Sequence, residues 1–331
     1  VTVKKRAETG NGREPSTARG GRVRIPNIYY AVALLFVVGL VFSLGNGNFI
    51  SAYNLSTILS YAVLLLLIGL GQMCAILVGG IDLSVGGLMS FVSVSFVIVV
   101  QVIGYWAYPL FILVGVLVGY ANGILLTRIK IPSFIATLGT GGILMSLAMI
   151  VAPVPVNVPT PKWGYLDIFN GTFLTISNVL YIGLLVFIFY FVLLRFTTIG
   201  RSIYYVGSNI KMSWMSGIDI AKTRNFAFIL SGVGASLAGI MVSAVQYGCN
   251  PYVGSTYILT SIAAVVVGGT ALTGGTGGSF NTLFGALIMS VLLNGMTVVG
   301  VDQYFQQSIL GLMIIVSVVL TFDRSKTPVI K

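Results

Sequence analysis

The chain is a succession of apolar runs separated by short polar stretches, and that pattern fixes what it can fold into. Crossing the hydrocarbon of a bilayer takes roughly 20 mostly apolar residues as a helix, with a range of ~17–25. Runs at 28–44, 55–78, 83–103, 107–127, 131–151, 174–194, 225–245, 280–299 and 305–322 satisfy that length. A tenth, 257–268, is too short alone and is expected to extend into the Gly-rich stretch after it. Only 8% of the 331 residues are charged, against roughly 25% in soluble domains, so the chain could not cover a water-facing surface. The mean hydropathy is +1.01. The expectation is an all-α polytopic membrane protein with about ten transmembrane helices and Gly-rich broken segments.

The net charge of +11 does not point to nucleic acid, because the basic residues sit in short blocks between the apolar runs. Lys4 to Arg24 precede the first run, Arg128 and Lys130 follow the fourth, Arg195 to Arg224 lie between the sixth and seventh, and Arg324, Lys326 and Lys331 end the chain. An even number of runs separates each block from the next. All of them therefore reach the cytoplasmic side together, where short loops carry an excess of Lys and Arg. Both termini are predicted to be cytoplasmic. Residues 1–27 read as a basic, disordered tail, 28–322 as the membrane domain, and 323–331 as a second tail. No small-residue cleavage site follows the first run, which reads as an uncleaved helix.

Histidine is absent, and Cys74 and Cys249 have no metal-binding or redox spacing. That excludes His-based acid–base chemistry, HExxH zinc sites and haem ligation by His. No Gly-Lys dipeptide occurs, so there is no phosphate-binding loop of the P-loop type. No catalytic residue, metal or cofactor is assigned, and the chain does not read as an enzyme. Gly115, Gly119 and Gly123 on one helix, and Ala235, Gly239 and Ser243 on another, form small-xxx-small faces that predict close packing inside the bundle.

Three stretches strain the reading as plain lipid-facing helix. In Val78-Gly79-Gly80-Ile81-Asp82-Leu83-Ser84, paired glycines flank the only acidic residue between 28 and 127. A charge at the bilayer centre costs at least ~2.5–3.5 kcal/mol, so Asp82 is expected at an interface or facing a watery cavity, either of which is compatible with its capping the next helix. In Val267-Gly268-Gly269-Thr270-Ala271-Leu272-Thr273, the valine, the glycine pair, a leucine and a hydroxyl recur at the spacing counted from Val78, the mark of an internal repeat. In the cytoplasmic stretch from Gly200 to Ile218, Ser208 or Asn209 is placed to start a short helix and Gly217 to end it. Ile210 and Trp214 would share one face of that helix. It would lie on lipid headgroups or dock into a partner protein.

Four motifs in this order carry a resemblance. They are Gly79-Gly80-Ile81-Asp82-Leu83-Ser84-Val85-Gly86; Asn122-Gly123 leading to Ile131-Pro132-Ser133 and on to Gly139; Gly200-Arg201 through Gly207-Ser208-Asn209 to Ser216-Gly217; and Ile262-Ala263-Ala264 to Thr270. The chain resembles the permease subunits of ribose-type ABC sugar importers, the group serving ribose, xylose, galactose and arabinose. The resemblance implies a prokaryotic plasma (inner) membrane location and pairing with a second permease, a copy or a paralogue. It also implies separate ATPase subunits, where ATP is hydrolysed, and delivery of solute by an extracytoplasmic sugar-binding protein. By resemblance the segment 196–224 couples to the ATPase through Gly200, Arg201, Tyr204, Gly207, Ser208, Asn209, Trp214, Ser216 and Gly217. The chain departs from the family at Ile210 to Ser213, where relatives have acidic residues and alanines, and at Ile258, Thr260 and Thr276.

Sugars are neutral and rich in hydroxyls, and each hydroxyl desolvated without a partner costs roughly 2–7 kcal/mol. A path for them is therefore polar and largely uncharged. Gln72, Asp82, Ser84, Gln246, Thr273 and Asn294 are the residues expected along it, each also able to serve as glue between helices. The rival reading is a self-contained, ion-coupled transporter, for which Asp82 is the one embedded ionisable group.

Overall fold

The computed structural model describes residues 27–321, so the tails expected at 1–27 and 323–331 lie outside the described residues except for Asn27. Among the described residues the long helices are α1 (Asn27–Gly45), α2 (Ala52–Leu77), α3 (Ser84–Ile103), α4 (Ala107–Thr127) and α5 (Ser133–Val151). After the short α6 (Asp167–Asn170) come α7 (Asn178–Phe196), α8 (Thr198–Ser208), α9 (Ile210–Met215) and α10 (Ile220–Val245). Then follow α11 (Tyr257–Val267), α12 (Ser279–Val298) and α13 (Gln303–Thr321). Helices α2, α5, α7, α10 and α12, and the stretch Ser84–Thr127 that holds α3 and α4, are long and apolar enough to cross a membrane.

Local chemistry sets the boundaries. Ser51 starts α2 by accepting from Asn54 N, and Asp219 starts α10 by accepting from Lys222 N, five residues before the apolar run begins. Such caps satisfy backbone donors that a helix start leaves free. The run expected from 174 begins as helix only at Asn178, because Leu174 and Thr175 take positive φ in the turn between β2 (Thr172–Phe173) and β3 (Ile176–Ser177). The expectation that 257–268 extends into the glycines fails. Helix α11 stops at Val267, where Gly269 turns to φ 100° and Thr270 N bonds back to Val265 O.

The centre of the bundle is α2 and α10. Over its most apolar 18 residues α2 is 83% buried, whereas the corresponding windows of α5 and α7 are 28% and 33% buried and turn apolar faces outward. The two small-residue faces pack within the chain, as expected. A Cβ on Gly115, Gly119 or Gly123 would collide with Gly232, Phe228 or Asn225 of α10. Further along α10, Gly239 lies against Met89 and Val92 of α3, and Ser243 Oγ contacts Ser93 Oγ at 2.9 Å. Outside the helices, β1 (Val156–Asn157) pairs antiparallel with β4 (Gly248–Cys249), fastening the long 152–173 connection over the end of α10.

Candidate functional site

The two glycine breaks are closed in the same way. Helix α2 ends with Gly79 at φ 75°, Gly79 N bonding Ile76 O and Gly80 N bonding Ala75 O. Helix α11 ends with Gly269 at φ 100°, Gly269 N bonding Val266 O and Thr270 N bonding Val265 O. Left-handed glycine is the usual stop for a helix because it returns the chain to the last free carbonyls. Backbone geometry thus pairs Gly79 with Gly269. The spacing counted from Val78 and Val267 is offset by one residue.

After the first break the chain enters α3 through a sealed polar cluster. Asp82 is 1% exposed, and its Oδ1 accepts from Ser84 N at 2.9 Å and Ser84 Oγ at 2.6 Å. Asn122 Nδ2 on α4 donates to Ser84 Oγ at 2.8 Å, and Thr140 Oγ1 on α5 donates to Asn122 Oδ1 at 2.8 Å. Thr137 and Ser133 hydroxyls accept from Leu83 N and Ile81 N. So α4 and α5 hold the break by side chains. Asp82 thus binds the first residue of α3 from two positions before it, and it lies sealed among side chains with no cavity beside it among those described. Its Oδ2 and the Ser231 hydroxyl of α10 face each other, and neither has a partner at hydrogen-bond distance. Nearby on α2, Gln72 is fully buried with both amide atoms unpartnered, one residue from Gly71, which touches the Ser231 backbone.

The second break, 268–278, is held by backbone contacts and by side chains that donate to its carbonyls, Asn281 Nδ2 to Gly268 O at 2.8 Å among them. Gly274, Gly275, Gly277 and Gly278 all have positive φ, and Gly275 N donates to Leu77 O at 2.9 Å, tying this break to the end of α2. Helix α8 rests on the junction. A Cβ on Gly207 would run into Leu77 O and Gly275 N, and Gly275 is pressed against Ser208. Ser208 Oγ reaches Gly275 O at 3.5 Å and Tyr204 Oη donates to Gly277 O at 3.3 Å. Burial pushes the Tyr204 phenol up to about 12, which keeps it a neutral donor.

Within the segment expected to couple to the ATPase, Gly200 packs on Leu193 and Leu194, Gly207 packs on Leu77 and Gly275, and Ser208 touches Gly275 while remaining exposed. The segment is two helices rather than one. Thr197 Oγ1 caps α8 by accepting from Gly200 N, and Asn209 Oδ1 caps α9 by accepting from Met212 N. Gly217 ends α9 at φ 78°, and Ser216 Oγ donates to Met212 O. Helix α9 presents Ile210, Met212, Trp214 and Met215 to the outside, with Trp214 71% exposed. Arg201 lines a cavity beside α8.

The path residues do not form one set. Gln72, Asp82 and Ser84 lie together inside. Thr273 is exposed on the second break. Asn294 of α12 is reciprocally hydrogen-bonded to Asn54 of α2 at 2.9 and 3.0 Å, which is glue between helices. Gln246 sits at the other end of the bundle in a cleft of about 290 Å³ between α2, α10 and α11. Sequence reasoning passed over the hydroxyls of that cleft, Tyr53, Ser56, Thr57, Ser60, Tyr61 and Tyr257. The signal was present, since Ser56, Thr57 and Ser60 recur at helical spacing in an otherwise apolar run. Roughly 36 Å of helix separates Tyr53 from Leu77 at ~1.5 Å per residue.

An apolar helical bundle, broken twice at one end and cleft with hydroxyls at the other, defines a multi-pass membrane protein. The pattern of the family described as branched-chain amino acid transport system / permease component matches residues 54–318. Ribose import permeases of Bacillus subtilis (strain 168) and Haemophilus influenzae are 34% and 33% identical, over 88% and 87% of this chain and 91% and 90% of their own lengths. The D-allose transport system permease of Escherichia coli (strain K12) is 31% identical, over 87% of this chain and 89% of its own. The chain belongs to this permease family, within its ABC sugar-importer group. No solved structure matches it.

Proposed function

We propose that the chain is the membrane-spanning permease subunit of an ATP-driven importer in a prokaryotic plasma (inner) membrane. It moves a monosaccharide or a related small polyhydroxylated solute delivered by an extracytoplasmic binding protein. Ten helices cross the bilayer with both termini and the α8–α9 pair on the cytoplasmic side. The ATPase docks on the exposed apolar face of α9, and a second permease, identical or paralogous, closes the hydroxyl-lined cleft from the other side.

The observation that carries this reading is the seating of α8 on both breaks at once. A push on α9 passes through Asn209 into α8, and from Gly207 and Ser208 by backbone contact to Leu77 and Gly275. The ends of α2 and α11 and the start of α12 then move as one hinge. A rigid contact between two interrupted helices is the kind of element that converts a local displacement into alternating access. The solute exchanges water for the Tyr, Ser, Thr and Gln groups of the cleft, which hold hydroxyls without a charge.

Trp214→Ala tests it. Trp214 is largely exposed and lies on α9 outside the membrane-spanning helices, so protein level stays normal while co-purified ATPase per permease falls about 10-fold or more, as for an interface anchor contributing ≥ ~2 kcal/mol. Unchanged ATPase retention sinks the docking assignment. Uptake that persists without ATP and follows the proton gradient would favour ion coupling through Asp82.

A further inference from the structure

Helix α12 begins without a counter-charge. Its N-cap is Gly278, no side chain caps it, and no acidic residue lies in its first turn. The first residue, Ser279, is 5% exposed and its hydroxyl is buried without a hydrogen-bond partner. Ser279 lines a cavity of about 800 Å³, and so do Arg195 at the end of α7 and Arg201 on α8. Among the described residues neither guanidinium forms an ion pair or a side-chain hydrogen bond, and the acidic residues are Asp82, Asp167, Asp219 and Asp302, none of them on the cavity wall. Free backbone N–H groups at a helix start, a buried hydroxyl donor and two arginines are together the chemistry that holds a phosphate oxyanion.

Tyr204, Tyr205 and Asn281 complete the polar part of the wall, and an aromatic rim opens outward. Phe191 and Phe280 meet edge to face at 5.3 Å, Leu194 adjoins them, and Phe280 is 45% exposed. Leu184 and Ile188, seven and three residues before Phe191, continue this exposed apolar surface along α7. Acyl chains would lie along that surface, with the headgroup at the level of the arginines. A free phosphate would make no use of the aromatic rim. We propose that this cavity binds the phosphate of an anionic phospholipid, fixing α12 against α7 and α8. The site needs only that α7 and α12 cross the bilayer, so it stands or falls separately from ATPase docking on α9.

The test uses the full chain, delipidated in a neutral detergent, with phosphatidylglycerol, phosphatidylcholine or inorganic phosphate added. Retained lipid is counted by native mass spectrometry and the unfolding midpoint is followed. Phosphatidylglycerol is expected to be retained at least 10-fold over phosphatidylcholine and to raise the midpoint. Arg195→Gln combined with Ser279→Ala lowers that retention at least 5-fold, while Arg195→Lys keeps most of it and shows that charge, not folding, is being read. Equal retention of the two lipids, or undiminished retention by the double variant, overturns the site. Protection by inorganic phosphate as strong as by phosphatidylglycerol overturns the lipid assignment.

Discussion

Helices α3 and α12 each follow a glycine break of the same closing geometry and are each 20 residues long, yet they begin differently. The start of α3 carries its own carboxyl group. Asp82 accepts from Ser84 N and Oγ, and Asn122 and Thr140 extend the cluster over two further helices. The start of α12 has no carboxylate, and its hydroxyl at Ser279 is unpartnered. The first break spans six residues between helices, 78–83, and the second eleven, 268–278, with the added length resting on α8. One break is locked inside the bundle by side chains. The other is held by backbone contact with the end of α2 and with α8, and the Asn281, Tyr204 and Ser208 side chains reach its carbonyls. In the proposed mechanism the side-chain cluster travels as one rigid, locked piece with the end of α2, and the second break is the movable half that flexes.

The largest expected effect comes from breaking the movable half. Gly207→Leu places side-chain atoms where Leu77 O and Gly275 N now stand. Overpacking of a tight contact typically costs ~1–3 kcal/mol, and here backbone rather than a flexible side chain has to yield. Folded yield falls and uptake is abolished in whatever protein remains. Gly207→Leu at normal level with normal uptake would show that α8 is not seated on the breaks.

Much of the local structure was legible because its causes are local. Asn209 and Gly217 announce a helix start and stop, and the Gly115, Gly119 and Gly123 face announces close packing. The partners were not legible. Ser84 and Asn122 are 38 residues apart, and Leu77 and Gly275 meet by backbone atoms that no side chain advertises. The sequence match that set Thr273 opposite Ser84 counted glycines without knowing which one turns left-handed. Gly79 and Gly269 do. Nor could spacing show that Gly207 serves its own chain, since a glycine required for close approach looks the same whatever approaches it.

A matched pair of hydroxyl deletions sharpens the comparison at intermediate size. Ser84→Ala removes a donor to Asp82 and the acceptor of Asn122, leaving buried polar groups short of partners at a cost of roughly 1–3 kcal/mol. Thr273→Ala alters an exposed loop residue and stays within about 0.5 kcal/mol, as surface changes do. Unfolding midpoints of the two purified variants read the contrast directly. Equal effects would restore the equivalence that the sequence spacing suggested and remove the distinction between a locked and a movable break.

The smallest effect is a gain. Ser279→Asp gives the start of α12 a carboxyl group, as Asp82 does for α3, at the first residue of the helix and beside Arg195 and Arg201. A carboxylate at a helix start contributes about 0.3–1 kcal/mol. The site is largely buried, which strengthens attraction to the backbone N–H groups and the arginines but also adds a desolvation cost. The flanking guanidiniums lack other partners among the described residues and are available to offset that cost. The variant in neutral detergent should therefore unfold slightly later than the unmodified chain. Its midpoint should also cease to respond to added anionic lipid, because the counter-charge is already in place. A lower midpoint in detergent would mean that the start of α12 is not electropositive. The difference between the two helix starts would then be one of sequence without electrostatic consequence.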